Sequence, residues 1–344
     1  MNVGKAKSLA RQWVIDEASR LPGFAGAYTA GSVNWCSDEL PQPASSDVDV
    51  KVVLDVDPLP PNPGKFSYGE ALLDVSLVPL EALRSVDDVL GHYHMAAALS
   101  RPSIVVDPTG YLAQLQQAVS RDYAQRHWVA HRLEHARLSV LNWIGGIQKT
   151  ELYHDQVTCW LFSAAGMAHV VLVAALRNPT IRRRYQAAQR VLAEHGLSDY
   201  HESLLELMGC AHMDCGEVEG HLAAVTDVFD YASRIIKTPY RFAADISAIG
   251  RPVAIDGSRE MIEQGFHREA MYWLVTTFSR CQAILVNDAP MEMREHFGRG
   301  YARLLEGVGI RGVEDLVRGG ERIRDSLPRL MEVSGAIAAV NAEG

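Results

Sequence analysis

The spacing of hydrophobic residues along this chain changes once, near residue 110, from alternation at every second position to recurrence at every third or fourth. Before that point short β-branched runs sit between turn clusters. "GAYTA" ahead of Gly31, "VDVKVVLDV" from Val48, "ALLDVSLVPL" from Ala71 and "SIVVDP" from Ser103 each predict a strand. The opening "MNVGKAKSLARQWVIDEASR" predicts an amphipathic helix, and "PLPPNPGKFSYG", residues 58 to 69, reads as a turn cluster. From Tyr111 onward Leu133, Ala136, Leu138, Leu141, Ile144 and Ile147 set a helical stripe. Breaks at "LRNPTIRR", "EHGLSDYH", "KTPYRF" and "GRPVAIDGS" divide that half into roughly five to seven helices. The expected architecture is α+β: a small mixed-sheet domain over 1–110, followed by an α-helical bundle domain over 111–344. Pro108 and Gly110 in "VVDPTG" end the strand pattern and mark the boundary.

Composition narrows the class. At 344 residues two domains are the default, and 48% hydrophobic with 22% charged residues is the balance of a globular chain. Lys and Arg number 33 against 42 Asp and Glu, a formal charge of −9. That balance speaks against the basic footprint a nucleic-acid backbone demands, so a small-molecule partner is expected. The most apolar stretch, Cys159 to Leu176, nearly reaches spanning length but carries His169 between polar flanks and reads as a buried helix, with no membrane role expected. The N-terminus lacks a signal-peptide core, and five cysteines at irregular spacing do not form a disulfide framework. A cytoplasmic chain with reduced thiols is expected.

Within the strand from Val48, alternate residues share a face. Asp47, Asp49 and Lys51 project one way; Val48, Val50, Val52 and Leu54 project the other. Two carboxylates side by side repel, and a divalent cation between them resolves the conflict. Hard oxygen donors select Mg²⁺ or Mn²⁺, which keep positions open for water and phosphate oxygens and so point to a nucleoside triphosphate. Asp74, alternating with Leu73 and Val75, offers a third carboxylate. Gly31 and Ser32 follow a short strand, where a glycine permits a turn with close ligand approach and the amides and hydroxyl suit phosphate. The ordered set, strand, Gly-Ser, Asp-x-Asp strand, Asp strand, is far more specific than any member.

Gly31-Ser32, Asp47-Val48-Asp49 and Asp74 resemble the signature of the nucleotidyltransferase superfamily that includes DNA polymerase beta. With a helical C-terminal half, the arrangement is most similar to aminoglycoside nucleotidyltransferases. The resemblance covers residues 24–110 specifically. It implies that Asp47 and Asp49 bind two Mg²⁺ ions, that Asp74 joins the one activating the acceptor hydroxyl, and that Gly31 and Ser32 hold the triphosphate of ATP or another NTP. The implied reaction moves a nucleoside monophosphate, AMP from ATP first among them, to a hydroxyl of a small molecule such as an aminoglycoside-like or other natural-product acceptor, releasing pyrophosphate. The segment "VNWCSDELPQPAS" is longer than the family's connection to the first Asp. Two alternatives accompany this reading: modification of a protein side chain, and nucleotide binding without turnover.

Several residues outside that set carry chemistry. The resemblance implies a general base from the helical half, where a helix "LNWIGGIQKTELYHDQVTCW" offers Glu151 and Asp155 at helical spacing and Lys149 as a counter-charge for triphosphate. An exposed helix face is the plainer reading of all three. Arg177, Arg182, Arg183 and Arg184 read as a solvated basic helix start or an interface, and otherwise as steering charges for an anionic nucleotide or acceptor. Cys210, His212 and Cys215 in "CAHMDC" lack the second pair a zinc site needs, and His92 and His94 read as surface or capping residues. Arg126 and His131 loosely fit an Arg-x4-His pattern.

Overall fold

The computed structural model describes residues 1–343. The chain divides into two compact units. The first comprises Met1–His135, Leu176–Thr180 and the stretch from Ala338; the second comprises Ala136–Ala175 and Ile181–Ile337. A mixed five-stranded sheet followed by helices makes the fold α+β.

In the first unit α1 (Val3–Asp16) precedes β1 (Phe24–Ala30), β2 (Val48–Leu54), β3 (Gly64–Tyr68) and β4 (Ala71–Pro79). Then come α2 (Val86–Gly91), α3 (Tyr93–Leu99), β5 (Ile104–Val106), α4 (Tyr111–Asp122) and the start of α5 (Arg126–Gly146). The sheet order is β3-β4-β2-β1-β5, with β2 and β4 parallel and the other pairs antiparallel. Val48, Val50, Val52 and Leu54 of β2 are fully buried in one layer with Ala6, Ala10 and Val14 of α1. Val53, pointing the other way, packs with Tyr28, Leu90, Leu99 and Leu112 beneath α2, α3 and α4. Each large side chain so buried stabilises the unit by about 1.5–3 kcal/mol.

The turn cluster expected over 58–69 is corrected: residues 64–68 form β3, an edge strand. Phe66 and Tyr68 draw it onto α1. The Phe66 ring lies 5.3 Å from that of Trp13, and the Tyr68 hydroxyl donates to Asp16 Oδ2 at 2.7 Å. A five-residue edge strand behind four prolines gives too short an alternation to outweigh its turn residues.

The loop from Trp35 to Ser46 is folded onto the start of α1. Val3 N–H donates to Leu40 O and Gly4 N–H to Asp38 O, both at 2.9 Å, while Lys7 pairs with Asp38 at 2.7 Å. Two otherwise orphaned helix-start amides thus find acceptors in this loop.

The second unit contains the rest of α5, then α6 (Tyr153–Ala174), α7 (Arg184–Glu194), α8 (Ser198–Met208), α9 (Cys215–Ile235), α10 (Gly257–Glu263), α11 (His267–Asp288), α12 (Met291–Gly307) and most of α13 (Val313–Asn341). Among the described residues, ten α-helices follow residue 110, more than the five to seven expected. One extra break falls inside the single helix expected over 141–160: α5 ends at Gly146, 147–152 is a turn, and α6 starts at Tyr153. Gly146 lies against Cys159 Sγ, where a Cβ would sit 2.8 Å away, so the two helices approach closely at the turn. The expected break at "GRPVAIDGS" is instead helical, a π-turn over Pro252–Asp256 running into α10. Pro252 sits at its first position, where the missing N–H costs nothing, so it starts the segment rather than stopping it.

The apolar α6 is the buried helix expected from its sequence: 78% of its most hydrophobic window is buried. Trp160 is fully buried, and Gly319 of α13 packs against its indole, where a Cβ would lie 2.5 Å from Nε1. The buried stripe on α5 follows Leu133, Ala136, Val140 and Ile144, with Ile147 buried in the turn just beyond, whereas Leu138 is exposed.

Candidate active site

Strand register gathers the acidic residues. β2 and β4 pair with Asp49 opposite Asp74 and Lys51 opposite Ser76. β3 pairs with β4 so that Lys65 lies opposite Asp74, and β1 pairs with β2 so that Ala30 lies opposite Asp49. One row across four strands therefore reads Lys65, Asp74, Asp49, Ala30, with Asp47 two residues ahead of Asp49 on the same face. All three aspartates are half-buried.

Gly31 follows Ala30 with φ +69°, and opens a short 3₁₀ turn over Gly31–Asn34. A Cβ on Gly31 would overlap Asp49 Oδ2, so both the backbone angle and the carboxylate require glycine. The turn is held by Asn34, 7% exposed, whose side-chain amide donates to Thr29 O at 2.7 Å and to Ala98 O at 3.2 Å. The Thr29 hydroxyl donates to Asn34 Oδ1 at 2.6 Å. Ser32 is exposed on the turn. Trp35, just beyond it, carries the guanidinium of Arg101 over its ring at 4.1 Å.

Electrostatics at the row are unbalanced. Burial, then the charge of Asp47, raise the Asp49 carboxyl to about 6, against the opposing pull of Lys51; Asp74 adds to the rise and Lys65 opposes it. Lys51 donates to Ser76 Oγ at 3.2 Å. The ammonium of Lys65, its side chain 5% exposed, ion-pairs with both Asp47 Oδ2 and Asp74 Oδ2, the latter at 2.8 Å.

These donors are hard oxygens of the kind that hold Mg²⁺ or Mn²⁺, and a lysine cation already stands between two of them. The donor set fits a divalent ion in chemistry and charge. In their present positions, among the described residues, no three acidic, histidine or cysteine side chains close on one point.

The other residues singled out by sequence fall elsewhere. Lys149 and Glu151 belong to the second unit and lie exposed in the turn 147–152, not on a helix face as expected; Asp155 opens α6. Of the arginine run, Arg177 is exposed while Arg182, Arg183 and Arg184 turn inward. Arg184 is 2% exposed with its guanidinium 4.4 Å from the Tyr272 ring, Arg182 donates to Val253 O at 3.3 Å, and Arg183 pairs with Glu260 at 3.2 Å. His92 caps α3, its Nδ1 accepting from Met95 N–H at 3.4 Å, and burial lowers its pKa to about 4. Cys210 is buried while His212 and Cys215 are exposed. Arg126 and His131 are exposed; the buried charge on α5 is Arg132, donating to Leu90 O at 3.1 Å and lying over Tyr123.

Sequence reasoning missed Lys65 and Asn34. A signal existed for the first: "GKFSY" alternates polar and aromatic residues directly ahead of a turn and the Asp74 strand.

No family model and no curated protein matches the chain. Among solved structures, a nucleotidyltransferase-like protein from Exiguobacterium sibiricum is similar over 88% of this chain and 91% of its own, at 11% identity and a TM-score of 0.29. At that distance the likeness carries neither activity nor site to this chain.

Proposed function

We propose that this chain is a Mg²⁺-dependent nucleotidyltransferase that moves a nucleoside monophosphate, AMP from ATP, to a hydroxyl of a small cationic or natural-product acceptor in the cytoplasm. One observation carries the reading: Asp49 and Asp74 face each other in register on parallel strands beside Asp47, with the Gly31 backbone folded directly over the Asp49 carboxylate. A structural role does not explain such a row, because it gathers like charges at a cost to Asp49.

In this mechanism the acceptor hydroxyl attacks the α-phosphorus, the bond from that phosphorus to the α,β-bridging oxygen breaks, pyrophosphate leaves, and the hydroxyl proton passes to a base. The Gly31 and Ser32 turn receives the phosphates through backbone amides and the Ser32 hydroxyl. Asp47, Asp49 and Asp74 would hold divalent ions, which supply charge stabilisation for the attacking and leaving oxygens. As the resemblance implies, Glu151 is the candidate base and Lys149 a counter-charge for the nucleotide. Positioning and electrostatics account for most of such a rate enhancement.

The test is direct. The protein with Mg²⁺, each NTP in turn and pooled hydroxylated acceptors is assayed for pyrophosphate and for new product masses. Transfer that survives in both Asp47→Ala and Asp49→Ala sinks the reading. Glu151→Gln with unchanged transfer removes Glu151 alone. A second reading, nucleotide binding without turnover, draws on the Lys65 contacts, which already offset the acidic charge. It predicts ATP binding with no pyrophosphate from any acceptor.

A further inference from the structure

Two lysines on this face, Lys51 and Lys65, have no place in the proposed chemistry, and Lys65 is the one paired directly with the carboxylates. Its side chain is 5% exposed, and its ammonium bridges Asp47 and Asp74, the two carboxylates on either side of Asp49 in the cluster. The backbone beneath it is fixed, since its neighbour Phe66 packs on Trp13 and Tyr68 bonds Asp16. A change at Lys65 is therefore one of its four-carbon stem, and a lysine head can turn away from a carboxylate without moving its strand.

We propose that Lys65 is a built-in counter-ion exchanged for the divalent cation, a positioning residue that holds Asp47 and Asp74 together when no metal is bound. The inference rests on the nucleotidyltransferase reading and specifies how that site is loaded. Three arguments lead to it. The contacts of Lys65 are with two of the three carboxylates assigned to metal, so ammonium and ion compete for the same oxygens. With Lys51 on the same face, two lysines already face three aspartates, which leaves too little negative charge for a divalent ion while Lys65 stays. Without any cation, the three carboxylates would repel and one would take up a proton. On exchange, the ammonium remains on the same face as Gly31 and Ser32, where polyphosphate oxygens are its natural acceptors.

The experiment is a calorimetric Mn²⁺ titration of the full chain as wild type, Lys65→Met, Lys65→Arg and Asp49→Asn, with thermal unfolding in chelator to verify folding. The expected result is that Lys65→Met binds Mn²⁺ about tenfold or more tighter than wild type, since the competing cation is gone, and that Lys65→Arg does not. Asp49→Asn should lose binding. A Lys65→Met affinity equal to or weaker than wild type overturns the exchange while leaving the metal site intact. Absence of Mn²⁺ binding in wild type and in Lys65→Met alike overturns the exchange and the metal-dependent reading together. Should Lys65→Met fail to fold, amine labelling of wild type read by mass spectrometry decides. Lys65 should label slowly in chelator and several-fold faster in Mg²⁺, and equal rates while Mn²⁺ still binds overturn the proposal.

Discussion

In the helical unit Arg184 lies over Tyr272 in the core, Arg280 pairs with Asp245 at 2.9 Å, and the buried His201 meets Glu269 at 2.9 Å. On the sheet, three aspartates stand on one face and share two lysines, with the Asp49 carboxyl raised to about 6. Both regions bury charge, yet the helical unit matches its charges to fixed acceptors while the sheet concentrates like charges. Charge that is matched locks helices together; charge that is left in excess is held for something that arrives. The contrast separates the arginine run at 182–184 from the aspartate row, although by composition both are simply charge clusters.

Seven substitutions probe this contrast. The largest effect is expected on turnover: Asp47→Ala or Asp74→Ala should lower pyrophosphate release by about three orders of magnitude or more, as should chelation of divalent ions in wild type. A loss below about tenfold would put the row in the structural class alongside the arginines. Trp160→Ala should cost about 3–5 kcal/mol in denaturant-induced unfolding while leaving metal binding by the sheet intact. Loss of Mn²⁺ binding together with that stability would break the separation.

Asp49→Asn sharpens the comparison through pH. The folded pKa of about 6 exceeds the ordinary 3.8, so the native state binds the extra proton between those values and stability from Asp49 falls as pH rises across that window. In chelator, unfolding curves should show Asp49→Asn about 2 kcal/mol more stable than wild type above pH 6, once partial exposure is allowed for, with the gap closing toward pH 4. A constant gap across that range would mean the row carries no stored repulsion. Gly31→Ala should cost about 1 kcal/mol from its left-handed backbone, and more where its Cβ meets Asp49. At the small end, Arg126→Ala and His131→Ala should each stay within about 0.5 kcal/mol in stability and leave turnover unchanged.

Much of the site was legible because strand alternation is local. Two intervening valines suffice to put Asp47, Asp49 and Lys51 on the face opposite Val48 and Val50, and the same rule places Asp74 against Leu73 and Val75. The "GKFSY" alternation left a trace of the strand, but the role of Lys65 was not legible, since it depends on the register of β3 with β4 and on the anchoring of Phe66 and Tyr68 on α1, a helix about fifty residues earlier in the chain. The helical half shows the same limit. Pro and Gly mark ends, but Pro252 begins a turn of helix, and the break at 147–152 contains neither residue. The arginines of 182–184 look like surface from their neighbours in sequence, and only contacts with residues far along the chain, Val253, Glu260 and Tyr272, draw them inward.

The loop clasped to the first turn of α1 runs on into Asp47 within a few residues. The amide protons of Val3 and Gly4 are therefore covered by the segment that carries the first aspartate, and they open to solvent only when it lifts. Their hydrogen-exchange rates become a gauge of occupancy. Whatever ligand clamps Asp47 should slow exchange at the opposite end of the loop, at two backbone positions that no ligand needs to touch.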